Sequence, residues 1–317
     1  MTHEHSVLLD GVRLHVVEEG AGPLVLLVHG FPETAYSWRR QLPALAAAGY
    51  RAVAFDVRGY GRSSKPLDVA EYRMTRLVAD NVALVRALGA DTAAIVGHDW
   101  GSAIAANSAL LAAEVFTSVA LLSVPYLPRG GPRPTEVFAR IGGTSEFYIR
   151  YFQEPGRAEA EIEPDVRRWL QGVYASLSGD TMPAEGSDTA FFIAPGARMS
   201  DGFTSASLPS WLTEAELGRY VAEFERSGFG GALNRYRNVD RDWADLAAYD
   251  GAPIPQPSIF IGGSRDASTS WGQQAIDAFP ATLPGLRGSH ILDGCGHWVQ
   301  QERADEVNAL LLAWLGG

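Results

Sequence analysis

The stretch Gly97-His98-Asp99-Trp100-Gly101-Ser102 follows the apolar run Ala93-Ala94-Ile95-Val96. A short apolar strand that leads into a nucleophile flanked by small residues is typical of a nucleophile elbow, a sharp strand-to-helix turn that exposes its central side chain. Serine is the familiar central residue of such a turn, but here the position holds Asp99. A carboxylate nucleophile indicates attack on a saturated carbon, whereas a serine indicates attack on a carbonyl group.

The composition is that of an ordinary globular protein of 317 residues, 46% of them hydrophobic and 20% charged. Its net charge of −11 argues against a nucleic-acid groove or an anionic membrane surface as partner. No apolar run is long enough to span a bilayer, and the N-terminus lacks a secretory signal pattern, so we expect a cytoplasmic protein. The single cysteine, Cys295, permits no internal disulfide and is expected to be a packing residue.

Strand and helix patterns alternate with short links over the first 126 residues. Leu24–Val28 is continuously apolar, as expected for a strand covered on both faces, and residues 71–88 have apolar side chains at helical spacing. This alternation predicts a mostly parallel sheet between layers of helices. The predicted elements are an antiparallel pair at the sheet edge over 6–18, strands over 24–28, 51–55, 93–96 and 119–124, and helices over 38–48, 71–88 and 101–111.

The alternation stops between residues 127 and 247, where no convincing buried strand occurs and residues 178–210 lack any periodicity. We predict a mainly helical cap domain over 127–247 that covers the active site of a core domain formed by 1–126 and 248–317. Helix-like patterns in the cap cover 133–141, 164–176, 213–227 and 230–238, and the resumed core has strands over 257–262 and 289–293 and helices over 271–278 and 302–315.

Three chemically competent side chains each follow a predicted strand, in the chain order Asp99, Asp266, His297. The carboxyl ends of parallel strands meet at one edge of a sheet, so these side chains are expected to lie together. The order nucleophile, acid, histidine is the arrangement of α/β-hydrolases. A histidine suits the role of base because its pKa lies near neutrality. His29 and His98 each precede a turn and are expected to shape these loops by hydrogen bonds.

The loop that follows the strand at Leu24–Val28 predicts a second element of the site. In elbow folds the oxyanion hole consists of the backbone N–H after the nucleophile and one from such an earlier loop. The corresponding residues here are Trp100 and Phe31.

Four motifs surround these candidate residues: His29-Gly30-Phe31-Pro32-Glu33, Arg58-Gly59-Tyr60-Gly61, Gly97-His98-Asp99-Trp100-Gly101 and Gly296-His297-Trp298. Together they resemble the epoxide hydrolases of the α/β-hydrolase fold, of the soluble epoxide hydrolase type. The resemblance extends into the insertion, because Tyr151–Gly156 and Leu233–Asn238 resemble the two cap segments that each supply a catalytic tyrosine in that family. By this resemblance the two tyrosines are Tyr151 and Tyr236.

The resemblance implies a mechanism in which Asp99 opens an epoxide ring while Tyr151 and Tyr236 activate its oxygen. The resulting ester would be hydrolysed by water that His297 and Asp266 activate, with neither a metal nor an organic cofactor. The partners would be a small-molecule epoxide and water. The implied walls of the substrate pocket are apolar: Phe31, Pro32, Trp100, Phe152 and Trp298.

Several other functions occur on the same fold. Haloalkane dehalogenases share the aspartate elbow but have asparagine where this chain has Phe31, and haloacid dehalogenases of the fluoroacetate type have arginine where it has Trp100. A non-catalytic ligand-binding protein of the same fold would be expected to lack one of the catalytic residues. A serine hydrolase would need serine at position 99. The identity of the epoxide and the oligomeric state, monomer or homodimer, stay open.

Overall fold

The structure is a computed structural model that describes residues 2–182, 188–205 and 207–317. Residues 183–187 and 206, which belong to the predicted cap domain, lie outside the described residues. The strands are β1 (His3–Leu8), β2 (Arg13–Glu19), β3 (Leu24–Val28), β4 (Arg51–Phe55), β5 (Ala93–His98), β6 (Phe116–Leu122), β7 (Glu146–Phe147), β8 (Phe192–Ile193), β9 (Ser258–Gly263) and β10 (Leu286–Leu292).

The α-helices, numbered in chain order, are α1 (Gln41–Ala47), α2 (Met74–Ala87), α3 (Trp100–Leu111), α4 (Pro134–Gly142), α5 (Tyr148–Tyr151), α6 (Arg157–Ile162), α7 (Val166–Ser176), α8 (Glu214–Ser227), α9 (Gly230–Tyr236), α10 (Val239–Asp245), α11 (Ala267–Trp271), α12 (Gln273–Asp277), α13 (Phe279–Thr282), α14 (Val299–Glu302) and α15 (Ala304–Gly316). Short 3₁₀ helices cover Ala35–Trp38, Val69–Tyr72, Glu163–Asp165, Asp188–Phe191, Met199–Gly202 and Ala247–Tyr249. Of the helices in the described part of the chain, none combines the length and apolar character needed to cross a membrane.

The main sheet has the strand order β1-β2-β4-β3-β5-β6-β9-β10. Strand β2 runs antiparallel to β1 and β4, and the pairs from β4 to β10 are parallel. The predicted mostly parallel sheet with an antiparallel pair at its edge is therefore confirmed. All the parallel strand ends that carry Asp99, Asp266 and His297 face the same edge of the sheet.

Alternate side chains of the central strands enter two hydrophobic cores, one on each face of the sheet. In β3, Leu26 packs in the core that also contains side chains of α2 and α3. Its neighbour Leu27 packs in the other core, together with side chains of α1 and α15. Both leucines are fully buried, which explains why the strand is continuously apolar.

Two predicted helices are shorter than their patterns indicate. Where one helix was predicted over 38–48, the structure has a 3₁₀ helix at Ala35–Trp38 and the separate helix α1, which begins at Gln41. Proline lacks an N–H and is tolerated only in the first turn of a helix, so Pro43 prevents α1 from starting earlier. The prediction over 271–278 is likewise replaced by α11 and α12, which are separated at Gly272.

Strand β6 ends at Leu122 rather than at Val124, where the prediction placed its end. The reason is the backbone of Ser123, whose φ of 70° lies in the left-handed region. Such a residue cannot continue an extended strand.

Residues 127–247 lie between β6 and β9 and hold the helices α4 to α10. The four predicted helical segments are observed, with the additional short helices α5, α6 and α10. The segment also contains the two-residue strands β7 and β8, which pair with each other and were not predicted. Hydrogen bonds tie this insertion to the core: the Tyr174 hydroxyl donates to the Pro32 carbonyl at 2.6 Å, and Arg235 Nη1 donates to the Tyr72 carbonyl at 2.6 Å.

Candidate active site

Asp99 occupies the turn between β5 and α3, and its φ of 54° is left-handed. Glycines make this turn sterically feasible, because a Cβ on Gly97 would overlap the backbone of Gly101, and a Cβ on Gly101 would overlap the backbone of Val28. The strand-turn-helix geometry of a nucleophile elbow is therefore present.

The Asp99 carboxylate accepts a backbone hydrogen bond on one side and faces His297 on the other. The backbone N–H of Phe31 donates to its Oδ1 at 2.8 Å, and Nε2 of His297 lies 3.6 Å from its Oδ2. Burial raises the pKa of Asp99, but the nearby His297, the charge of His98 and the Phe31 N–H outweigh burial and lower it. The carboxylate is therefore ionised at neutral pH, as a nucleophile must be.

His297 lies between two carboxylates, with its Nδ1 3.1 Å from Asp266 Oδ1 on the side opposite Asp99. Burial by itself lowers the pKa of His297, but the charge and hydrogen bond of Asp266, followed by the nearby Asp99, raise it well above its usual value. Asp266 is also the N-cap of α11 and accepts a hydrogen bond from Ser268 N at 3.0 Å. The three residues predicted from the strand ends are thus brought together.

Of the two predicted oxyanion donors, Phe31 contacts the Asp99 carboxylate and Trp100 follows Asp99 directly in the chain. The Phe31 N–H already points at the carboxylate, as its 2.8 Å hydrogen bond indicates. Trp100 is the first residue of α3, where backbone N–H groups have no partner within the helix. The Phe31 N–H is therefore positioned to donate to an oxygen on Asp99, and the Trp100 N–H stays a predicted donor.

Tyr236, predicted from the insertion, lies over the elbow. Its ring centroid is 5.1 Å from that of Trp100 and 5.3 Å from that of Phe31. Burial raises the pKa of the Tyr236 phenol well above its usual value, and Tyr148 and the charge of Asp99 raise it further. The hydroxyl is therefore a protonated donor close to the Asp99 charge.

The structure does not bring Tyr151 to this site. Its hydroxyl donates to Glu161, and the guanidinium of Arg157 lies 3.6 Å from its ring centroid. Both partners belong to helix α6, which therefore holds Tyr151 away from Asp99. Burial and Glu161 raise the pKa of Tyr151 to about 12.

Tyr148, three residues earlier in the same short helix α5, lies beside Tyr236 instead. Its ring centroid is 6.0 Å from that of Tyr236. Burial raises the pKa of Tyr148, and the charges of Asp99 and Asp266 raise it further, so its hydroxyl lies within their field. The start of α5 has no signal in the sequence pattern, so the pattern does not distinguish the contacts of Tyr148 from those of Tyr151.

Three predicted wall residues surround the tyrosine pair. Phe152 has its ring centroid 4.9 Å from that of Tyr236 and 6.0 Å from that of Phe31. Trp100 packs edge-on against Tyr236 and beneath the guanidinium of Arg235, which lies 4.7 Å from its ring centroid. The surface above Asp99 is therefore largely aromatic.

The other two predicted wall residues lie deeper. Trp298 is fully buried with no exposed surface, packs against the ring of His297 at 4.8 Å, and donates through Nε1 to the Tyr174 carbonyl at 3.1 Å. It therefore supports His297 from behind rather than lining open space, which corrects the predicted wall position. Pro32 is buried, and its carbonyl accepts the Tyr174 hydroxyl.

The two loop histidines form hydrogen bonds, as expected. His29 Nδ1 donates to the Gly30 carbonyl at 2.8 Å, and its Nε2 accepts the Val57 N–H at 3.0 Å. His98 lies 2.8 Å both from Glu33 Oε2 and from the His297 carbonyl. These bonds hold the Phe31 loop and the backbone of His297 in place.

Only one group of three potential metal ligands is found among the described residues: His3, His5 and Glu18, whose ligand atoms lie within 4.8 Å of one another. It sits on the edge strands β1 and β2 and shares no residue with the candidate active site. Cys295 is fully buried in a hydrophobic core, in agreement with the expected packing role.

Comparisons with known proteins identify the family of this chain. A family model for the alpha/beta hydrolase fold matches residues 23–304. Epoxide hydrolase A of Mycobacterium tuberculosis is 45% identical over 99% of this chain and 97% of its own length. Epoxide hydrolase B of the same organism is 42% identical over 100% of this chain and 99% of its own length.

Solved structures give the same result. The structure of an epoxide hydrolase from an endophytic Streptomyces is 66% identical, with a TM-score of 0.98 over 100% of this chain and 96% of that chain. Epoxide hydrolase A from Mycobacterium thermoresistibile is 44% identical, with a TM-score of 0.93 over 100% and 99% of the two chains. The chain therefore belongs to the epoxide hydrolases of the α/β-hydrolase fold.

Proposed function

We propose that this protein hydrolyses small-molecule epoxides to vicinal diols through a covalent ester on Asp99. The observation that carries the proposal is the aspartate at the elbow, hydrogen-bonded by the Phe31 N–H at 2.8 Å and with Nε2 of His297 3.6 Å away. An ionised carboxylate in this position is suited to attack a saturated carbon, and an adjacent histidine is suited to activate water.

In the first step, a carboxylate oxygen of Asp99 attacks one epoxide carbon and the carbon–oxygen bond of the strained ring breaks. The leaving alkoxide is strongly basic and requires a donor. Tyr148 and Tyr236 supply hydrogen bonds to it, and one of them transfers its proton. Their raised pKa values keep both phenols protonated at neutral pH, and their rings lie 6.0 Å apart.

The choice of Tyr148 instead of Tyr151 follows from the contacts of each residue. The hydroxyl of Tyr151 is engaged by Glu161, whereas Tyr148 lies within the field of Asp99 and Asp266. Tyr148 and Tyr236 are therefore the pair assigned to the epoxide oxygen.

In the second step, His297 takes a proton from water and the hydroxide attacks the ester carbonyl. The N–H groups of Phe31 and Trp100 stabilise the resulting oxyanion. The intermediate collapses, the diol oxygen leaves with the proton from His297, and the oxygen of water stays in the Asp99 carboxyl group. That carboxyl group then returns its proton to the tyrosinate formed in the first step. The net reaction is therefore epoxide plus water to diol.

Ester formation also prepares His297 for this role. Before the first step, the negative charges of Asp266 and Asp99 raise its pKa, which favours the imidazolium form. Conversion of Asp99 to a neutral ester removes one of these charges, so the pKa of His297 falls and the neutral base becomes more populated. Asp266 remains and orients the ring through Nδ1.

The aromatic surface of Phe31, Trp100 and Phe152 supports apolar epoxides as substrates. The test is a panel of terminal, disubstituted and styrene-type epoxides, assayed for the diol, with a chlorinated alkane assayed for halide release. We expect diol from at least one epoxide and none from the Asp99→Ala variant. Halide release without diol formation would instead assign the protein to the dehalogenase alternative.

A further inference from the structure

Two residues other than glycine have a left-handed backbone in the described part of the chain, Asp99 with φ of 54° and Ser123 with φ of 70°. They follow the neighbouring parallel strands β5 and β6. A residue with a Cβ is strained in this region, and such strain persists where the surrounding structure enforces it, often at functional sites. Asp99 is the assigned nucleophile, whereas the proposed mechanism gives Ser123 no role.

Hydrogen bonds hold Ser123 in this conformation. The N–H of Val124 donates to the Leu122 carbonyl at 2.8 Å, which closes a γ-turn around Ser123, a strained turn type when its central φ is positive. The Ser123 N–H donates to the Ile261 carbonyl at 2.8 Å, and the Ser102 hydroxyl donates to the Val124 carbonyl at 2.6 Å. The turn is therefore anchored both to β9 and to the elbow helix α3.

The side chain of Ser123 is fully buried and contacts both partners of the predicted charge pair. Its hydroxyl donates to Asp266 Oδ2 at 2.5 Å and lies 2.9 Å from Nδ1 of His297. A hydroxyl has one proton, and an ionised carboxylate can only accept, so the proton belongs to the bond with Asp266. The Ser123 oxygen must then accept a hydrogen bond from Nδ1–H of His297.

The Nδ1–H of His297 is consequently shared between Ser123 Oγ and Asp266 Oδ1, which are 2.9 and 3.1 Å away. With the proton fixed on Nδ1, the lone pair of the neutral ring is on Nε2, the atom that faces Asp99. The serine bridge also closes a ring of hydrogen bonds through both oxygens of the Asp266 carboxylate, which limits rotation of that group.

We propose that Ser123 is a positioning residue for the ester-hydrolysis step, because its hydroxyl bridges Asp266 and His297 and fixes the tautomer that can activate water. This inference rests on the proposed function, since it concerns the second of its two steps. Ser123 does not face the epoxide carbon in that account, so ring opening by Asp99 does not depend on the hydroxyl.

Three variants separate this role from packing. Ser123→Gly removes the hydroxyl and relieves the left-handed strain, and Ser123→Ala removes the hydroxyl but keeps the strain. Ser123→Asn restores a donor and an acceptor in a residue that tolerates this backbone. Rapid-quench mass spectrometry with styrene oxide measures ester formation and ester hydrolysis separately, and thermal unfolding reports on packing.

We expect ester hydrolysis to slow about 10-fold to 100-fold in the glycine and alanine variants, as for loss of a hydrogen bond to a charged group, while ester formation keeps its wild-type rate. The glycine variant should melt at or above the wild-type temperature although it hydrolyses the ester slowly. The asparagine variant should recover part of the hydrolysis rate.

Ester hydrolysis at the wild-type rate in Ser123→Gly, with normal ester formation, would overturn this inference alone. An equal slowing of ester formation and ester hydrolysis in all three variants would also overturn it. Failure of the wild-type enzyme to form an ester with styrene oxide or with any other epoxide of the panel would overturn the proposed function itself and this inference with it. The two failures are therefore distinguishable.

Discussion

Nε2 of His297 lies 3.6 Å from Oδ2 of Asp99, so the proposed base is beside the proposed nucleophile. The opposite ring nitrogen is 3.1 Å from Asp266. The imidazole thus experiences one carboxylate whose charge persists and one whose charge disappears when the ester forms. The charge state of Asp99 is therefore expected to control the basicity of His297.

The first prediction concerns the pKa of His297. Replacement of Asp99 by Asn mimics the neutral ester, because the amide has the same shape and no charge. Since the two carboxylates raise the pKa of His297 in the free enzyme, we expect a lower pKa in Asp99→Asn than in the wild type, by NMR titration of the imidazole. Equal values in the two proteins would contradict the proposed coupling.

The charge state of His297 also sets the pH dependence of catalysis. In the ester, hydrolysis requires neutral His297, so its rate should rise with pH through the pKa of His297 in the intermediate and then level off. Ring opening requires ionised Asp99, whose pKa is lowered, so this step should not show the same fall as the pH decreases. Rapid-quench measurements of both rates across pH would check this, and identical profiles would count against the assignment of the base.

Replacement of His297 by Gln should separate the two steps. The nucleophile remains in place, so the epoxide should still react with Asp99, whereas water is no longer activated. We expect an adduct of one substrate mass to accumulate on the protein in intact-mass spectra. Normal turnover of this variant would exclude His297 as the base.

Tyr148 and Tyr151 offer a matched pair of variants in one helix. Tyr148→Phe should slow ring opening about 100-fold, the typical cost of one donor to a developing oxyanion. Tyr151→Phe should leave ring opening near the wild-type rate, because the Tyr151 hydroxyl is bonded to Glu161. The reverse order of effects would restore the assignment made from sequence, and Tyr236→Phe serves as the positive control.

The buried ion pair of Arg58 with Asp80 is expected to stabilise the fold without taking part in catalysis. Arg58 donates to both carboxylate oxygens of Asp80 at 2.8 and 2.6 Å, and both residues are buried. Asp80→Asn removes one of the two carboxylate partners of the buried guanidinium, which keeps Glu71 at 2.8 Å, and should lower the free energy of unfolding by about 2 kcal/mol.

The control for that variant is Glu136→Gln, which disrupts the exposed pair of Glu136 with Arg140 and should change stability by less than about 1 kcal/mol. Urea unfolding measures both variants. Equal changes in the free energy of unfolding would show that burial does not determine how much the Arg58 pair stabilises the protein. Under conditions where Asp80→Asn is folded, its kcat should match that of the wild type.

The sequence predicted the site best where chemistry and local structure coincide. Asp99 could be predicted because glycines on both sides are required for its turn. Asp266 and His297 could be predicted because each follows a buried strand, and the ends of parallel strands converge. These inferences depend on local pattern and on the general geometry of a parallel sheet.

Features that depend on tertiary contacts could not be read from the pattern. Tyr148 and Tyr151 differ in orientation because Arg157 and Glu161 engage only Tyr151, and nothing in the local spacing distinguishes the two tyrosines. Ser123 gave no signal, since a serine before Val124 is compatible with an ordinary strand end. Its role depends on two partners more than 140 residues away in sequence, Asp266 and His297.

The central claim is that Asp99 forms a covalent ester and regains its carboxylate by hydrolysis. The most direct measurement is turnover of an epoxide over many cycles in heavy-oxygen water, followed by mass analysis of the peptide that contains Asp99. The proposed mechanism predicts heavy oxygen in the Asp99 carboxylate, because water attacks the ester carbonyl. Heavy oxygen found only in the diol, with an unlabelled Asp99 peptide, would contradict it.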